Sequence, residues 1–124
     1  MTTVLLADDN AINRKLTRVV LTGAGYDVVE APDGDAALRL ARECHPALIV
    51  MDIQMPGLDG LAVTRALRAD RDTAKIKILA LTALAMTGDS MRILGAGFDA
   101  YCAKPFSRLA FVDTVANLLT EHAP

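Results

Sequence analysis

The chain alternates between short apolar runs and longer segments whose apolar residues recur every three or four positions. Val4-Leu5-Leu6-Ala7 is a hydrophobic run that stops at two aspartates. From about Ala11 to Thr22, Ile12, Leu16, Val19 and Val20 fall at helical spacing and predict an amphipathic helix. Gly23 and Gly25 close it, because glycine takes the left-handed conformation at a C-terminal cap without steric cost. Tyr26 to Ala31 reads as a strand and Pro32-Asp33-Gly34 as a turn. A second helix spans Asp33 to Cys44, with Ala36, Ala37, Leu40, Ala41 and Cys44 on one face, and His45-Pro46 ends it.

Ala47 to Met51 is apolar throughout and ends at Asp52, the pattern of a strand covered on both faces. A helix follows from about Leu58 to Ala69, and then a strand from Ile76 to Leu81 that leads into Thr82. A weaker, glycine-interrupted helix runs from about Met86 to Leu94, and a short strand from Asp99 to Ala103 ends at Lys104-Pro105. Ser107 is placed to cap the last helix, which aligns Leu109, Val112, Val115, Ala116 and Leu119. Strands separated by helices require right-handed crossovers, so the pattern predicts an α/β fold: five βα units forming a doubly wound parallel sheet. At this length the flavodoxin-like order 2-1-3-4-5 fits, although pattern alone leaves other orders open.

Length and charge narrow the classes. The chain has 124 residues, 52% of them hydrophobic, which is one domain over 1–124 with a core that needs no metal or disulfide. Thirteen basic against fifteen acidic residues give a net charge of −2, which argues against nucleic-acid or polybasic membrane binding. No apolar run approaches the roughly 20 residues needed to span a bilayer. Acidic residues come too early for a signal peptide. Cys44 and Cys102 are far apart with no metal-ligand spacing around them, and read as small core or near-core residues of a cytoplasmic protein. His45 and His122 read as surface polar residues, and Met86 and Met91 as core filler able to face a partner.

The chemistry collects at the strand ends. Asp8 and Asp9 follow the first strand, Asp52 the third, Thr82 the fourth and Lys104 the fifth. Alone, Asp8-Asp9 reads as a turn or helix cap, and Thr82 as an ordinary strand residue. In an open parallel sheet, however, all carboxyl ends face the crevice where ligands bind. Three carboxylates brought together there disfavour one another's ionisation unless a cation is present. Oxygen ligands without histidine or thiolate suit Mg²⁺, which keeps several waters and accepts phosphate oxygens. A carboxylate can serve as the nucleophile in phosphoryl transfer, with Mg²⁺ and Lys104 neutralising charge and Thr82 donating a hydrogen bond. Gly57 and Gly60 read as turn residues after Pro56.

Leu5-Leu6-Ala7-Asp8-Asp9-Asn10, Met51-Asp52-Ile53-Gln54-Met55-Pro56-Gly57-Leu58-Asp59-Gly60, Leu81-Thr82-Ala83 and Lys104-Pro105-Phe106 resemble the motifs of the response-regulator receiver domain. The likeness runs in register over nearly the whole chain and is strongest to stand-alone cell-cycle receivers and the receivers of hybrid histidine kinases. It implies that Asp52 accepts phosphate from a phosphohistidine donor. It also implies that Asp8, Asp9, Asp52 and the backbone carbonyl of Gln54 hold Mg²⁺. Lys104 would then pair with the phosphoryl group, Thr82 and Tyr101 would act as the switch, and the Lys104–Pro105 peptide would be cis. Gln54 and Leu84 occupy positions that vary in the family and tune phosphate lifetime.

The expected function is that of a phosphorylation-operated switch in a two-component or phosphorelay pathway, not a turnover enzyme. Its partners would be a sensor histidine kinase or phosphotransfer protein, a downstream protein target, or a second copy of the chain. Output would use the face built by the fourth predicted helix, the fifth strand and the last helix, about Thr87 to Leu119. Only one helix follows Lys104, so the expectation is a stand-alone protein acting by binding, with a receiver excised from a hybrid kinase as the alternative. A small Mg²⁺-dependent phosphatase with an aspartyl nucleophile ranks lower. Its leaving-group acid would stand two residues beyond Asp52, where this chain has Gln54. A flavodoxin-type carrier ranks last, because the acidic cluster would repel a flavin phosphate.

Overall fold

Five strands of the chain, β1 (Thr3–Ala7), β2 (Asp27–Ala31), β3 (Leu48–Asp52), β4 (Lys77–Thr82) and β5 (Ala100–Ala103), pair in parallel in the order β2-β1-β3-β4-β5. The computed structural model describes residues 2–53, 59–82, 95, 97–103 and 107–120. Four described helices connect or follow the strands: α1 (Ala11–Gly23), α2 (Gly34–Cys44), α3 (Gly60–Ala69) and α4 (Arg108–Thr120). The helix expected over Met86 to Leu94 lies outside the described residues. Among those described, no helix is long and apolar enough to cross a membrane.

Alternation along each strand divides the core into two layers. Leu5, Ala7, Ile49, Met51, Ile78 and Ala80 face one side and pack with Ala37 and Ala41 of α2 and Val63 and Leu67 of α3. Val4, Leu6, Leu48, Val50, Leu79 and Leu81 face the other and meet Leu21 of α1 and Phe111, Val115 and Leu118 of α4. Successive strand residues point to opposite faces, so only a sheet covered on both sides makes continuous apolar runs productive.

Each described helix begins at a polar side chain that occupies one of its free N–H groups. Asn10 accepts from Asn13 at 3.0 Å, Asp33 from Ala36 at 2.8 Å and Asp59 from Ala62 at 2.9 Å. Ser107 accepts from Ala110 at 3.4 Å, in the capping position expected of it. Gly25 has φ +97 and closes α1 as expected, whereas Gly23 is simply the last helical residue.

Three expectations need correction. Ile12, Leu16 and Val19 do not face the core: they are 73%, 62% and 62% exposed, and α1 buries Thr17 and Leu21 instead. Residues at i, i+4 and i+7 share a face, but periodicity does not say which face meets the sheet. Leu109 is likewise exposed, because α4 docks through Phe111, Val115 and Leu118. Cys44 is exposed at the end of α2, where the helix turns off at His45, itself in the left-handed conformation at φ 46.

Candidate functional site

The parallel register sets the strand ends level. Ala7 pairs with Met51, Asp52 with Leu81, and Thr82 with Ala103. Asp8 and Asp9 therefore emerge beside Asp52, at the boundary between β1 and β3 where the strand order reverses. One carboxylate oxygen from each of the three lies within 4.8 Å of the others. Asp8 and Asp52 are buried, while Asp9 is exposed. At an effective dielectric of about 20, unit charges at such a separation repel by roughly 3 kcal/mol per pair, less where water reaches Asp9.

Neither aspartate of the first pair serves as the helix cap, which is Asn10. Asp8 Oδ1 accepts the Asn10 N–H at 2.9 Å, and the Asp8 N–H donates to the Ala31 carbonyl at 3.1 Å. Arg14 Nη1 donates to the Asp8 carbonyl at 2.8 Å. The loop between β1 and α1 is thus tied to β2 on one side and to the first turn of α1 on the other.

On the β3 side, Gly60 opens α3 directly against the strand end. Its N–H donates to the Ile53 carbonyl at 3.1 Å. A Cβ there would lie 2.8 Å from the Asp52 carbonyl oxygen and 2.8 Å from the Ile53 Cα. Gly60 is therefore a close-approach residue seating α3 under Asp52, and not the turn residue expected. A glycine at the first position of a helix, just after its Asp59 cap, was the signal for this. Arg14, which bonds the Asp8 carbonyl, and Glu30, which pairs with Arg14 at 3.2 Å, carried no sequence signal, since each reads as an ordinary surface charge.

Thr82 ends β4 as expected, at the same edge as the acidic group. Tyr101 lies on β5 opposite Ala80, with its side chain at the surface. Lys104, Pro105, Gln54 and Leu84 fall outside the described residues, as do the Lys104–Pro105 peptide and His122.

The donor set fits a hard divalent cation. It is all oxygen and anionic; oxygens around Mg²⁺ stand about 3 Å apart when adjacent and about 4 Å when opposed, so a spread within 4.8 Å would close by about 1–2 Å for all three to share one ion. A doubly wound α/β sheet with a cluster of three aspartates at its switch point, able to hold a cation, is the class that fold and site define. The response regulator receiver domain family matches residues 4–116, and the chain belongs to it. It is 43% identical over 116 residues to the polar-differentiation response regulator DivK of Brucella ovis, with 94% of each chain covered. Among solved structures, the receiver domain of a Francisella response regulator is 30% identical with a TM-score of 0.92, over 99% of this chain and 100% of that one. The receiver domain of a sensor histidine kinase from Pseudomonas aeruginosa, solved with a magnesium ion coordinated in its active-site cleft, is 35% identical. Its TM-score is 0.89, over 96% of this chain and 98% of that one.

Proposed function

We propose that the whole chain, 1–124, acts as one phosphoacceptor switch of a two-component or phosphorelay pathway in the cytoplasm, with Asp52 as the phosphorylated residue. The observation that carries this reading is the convergence of Asp8, Asp9 and Asp52 within 4.8 Å at the sheet's switch point. An Asp52 carboxylate oxygen attacks the phosphorus of a phosphohistidine. The new O–P bond forms as the N–P bond breaks, and the electron pair returns to the imidazole nitrogen. Mg²⁺, when bound by Asp8, Asp9, Asp52 and the Gln54 carbonyl, supplies charge neutralisation for the phosphoryl oxygens. Lys104 pairs with the same group and Thr82 donates a hydrogen bond to it. Asp52 itself is buried, which limits access of bulk water to its carboxylate.

The donor in this reading is a histidine kinase or phosphotransfer protein. The exposed apolar stripe of Ile12, Leu16 and Val19 supports a protein donor, since it starts three residues beyond Asp9 on the helix that flanks the site. Phosphate on Asp52 then shifts Thr82 and Tyr101, and the face from about Thr87 to Leu119 engages a protein target or a second copy of the chain. Gln54 and Leu84 tune how long the phosphate stays. Incubation with Mg²⁺ and acetyl phosphate, followed by intact mass measurement, tests the assignment. A hydroxylamine-labile phosphate adduct is expected on the wild-type chain and not on Asp52→Asn. No Mg²⁺-dependent adduct on the wild type, or an equal one on the variant, removes the assignment.

A further inference from the structure

The Asp8 carbonyl lies one residue past β1. Arg14 reaches it from the first turn of α1, donating through Nη1 at 2.8 Å. The same guanidinium donates through Nε to Glu30 Oε1 at 3.2 Å. Glu30 sits on β2, level with Leu6 of β1, and its second oxygen is 3.7 Å from Arg18 Nε. Glu30 is thereby fixed between two arginines one helical turn apart, and Arg14 is the one turned inward, with its side chain only 19% exposed. A chain of contacts runs from β2 through Glu30 and Arg14 to the peptide that joins Asp8 to Asp9.

That peptide decides where the Asp9 carboxylate points. Asp8 has its own N–H bonded to Ala31 and its Oδ1 bonded to the Asn10 N–H. Asp9 is exposed, so the direction of its side chain depends on the backbone that carries it. We infer that Arg14, anchored by Glu30, is a positioning residue that holds the Asp8–Asp9 peptide so that both carboxylates face Asp52 before the cation arrives. The inference rests on the reading of Asp8, Asp9 and Asp52 as a Mg²⁺ site. Groups that orient metal ligands from behind commonly change metal affinity by roughly 10- to 100-fold when removed. Charge alone predicts the opposite, since deleting a cation near an anionic site should tighten binding of another cation. The two effects differ in sign, which makes the role measurable.

The chain contains no tryptophan, so the titration is followed through backbone amide signals of ¹⁵N-labelled full-length protein with MgCl₂. In Arg14→Met, which keeps an aliphatic stem, the Mg²⁺ Kd should rise roughly tenfold, and metal-free amide exchange at Asn10 should quicken. Arg14→Lys should not restore affinity, because one ammonium cannot span both the carbonyl and Glu30 as the guanidinium fork does. Glu30→Gln should raise the Kd less, and keeps the question answerable if the Arg14 variants do not fold. An unchanged or lower Kd in Arg14→Met, or full rescue by lysine, overturns the positioning role while wild-type binding stands. A wild-type chain that binds no Mg²⁺, or binds it equally well as Asp9→Asn, overturns the metal reading itself and this inference with it.

Discussion

Replacing Gly60 with alanine sets two effects of opposite sign against each other. Alanine is favoured over glycine in a helix interior by about 1 kcal/mol, and less in the first turn, so propensity alone predicts a more stable protein. Packing predicts otherwise. The new Cβ would stand 2.8 Å from the Ile53 Cα and 2.8 Å from the Asp52 carbonyl oxygen. Ordinary carbon contacts begin near 3.5 Å, so strand end and helix must separate by about 0.7 Å. The helix cannot withdraw freely, because the Gly60 N–H is bonded to the Ile53 carbonyl. Overpacking of this kind costs about 1–3 kcal/mol, which leaves a net loss of about 1–2 kcal/mol. For a domain of this size that lowers Tm by roughly 3–8 °C. The displaced backbone carries Asp52, so its phosphorylation by acetyl phosphate should slow on the order of tenfold, given that a 1 Å misplacement can cost about 100-fold. Thermal unfolding and a time course of intact mass measure the two effects on one sample. A Gly60→Ala protein with equal or higher Tm and an unchanged rate would refute the close-approach argument.

Other consequences can be measured as directly. Mg²⁺ at about 100 times its Kd should stabilise the wild type by about 2.7 kcal/mol, seen as a rise in Tm that Asp8→Asn abolishes, and a Tm indifferent to Mg²⁺ would refute the cation site. Arg68 donates to the carbonyls of Gly97, Ala74 and Ile76 and to Asp99 Oδ2, joining α3 to the chain just ahead of β4 and just ahead of β5. Arg68→Ala should therefore cost about 2–4 kcal/mol in urea unfolding, and a loss below about 0.5 kcal/mol would mean that water replaces those bonds readily. Burial raises the Cys102 thiol above its ordinary value of 9.0, against a smaller lowering by its hydrogen bond to Thr114. The unfolded chain then ionises this thiol first, so its contribution to stability is complete below pH 9.0 and is lost as pH rises through the higher folded value. Stability of the wild type above that pH should fall more steeply than that of Cys102→Ala, and identical profiles would contradict this.

The element order, the parallel sheet and the strand-end position of Asp8, Asp9, Asp52 and Thr82 were legible from the sequence. Periodicity reports which residues are apolar together, and an apolar run that stops at a charge marks where a buried strand leaves the core. The capping residue Ser107 and the glycine closure at Gly25 were legible for the same reason, since their chemistry is local, whereas Asp33, read as a turn and helix residue, is the cap of α2. The strand order was not set by pattern, because a parallel strand carries little mark of its neighbour; it followed from chain length and from the receiver motifs.

What only the tertiary structure decided is how faces and distances fall. Ile12, Leu16 and Val19 form a stripe that periodicity finds but cannot orient, and packing of Thr17 and Leu21 against the sheet turns it to solvent. Gly60 looks like any loop glycine until α3 is laid against the end of β3. Arg14 and Glu30 are sixteen residues apart and become one device only when β2 is placed beside β1. The chain by itself determined which side chains could do chemistry, because that is a property of residue type and local pattern. The fold decided which of them meet, because meeting depends on contacts between segments that the sequence holds far apart.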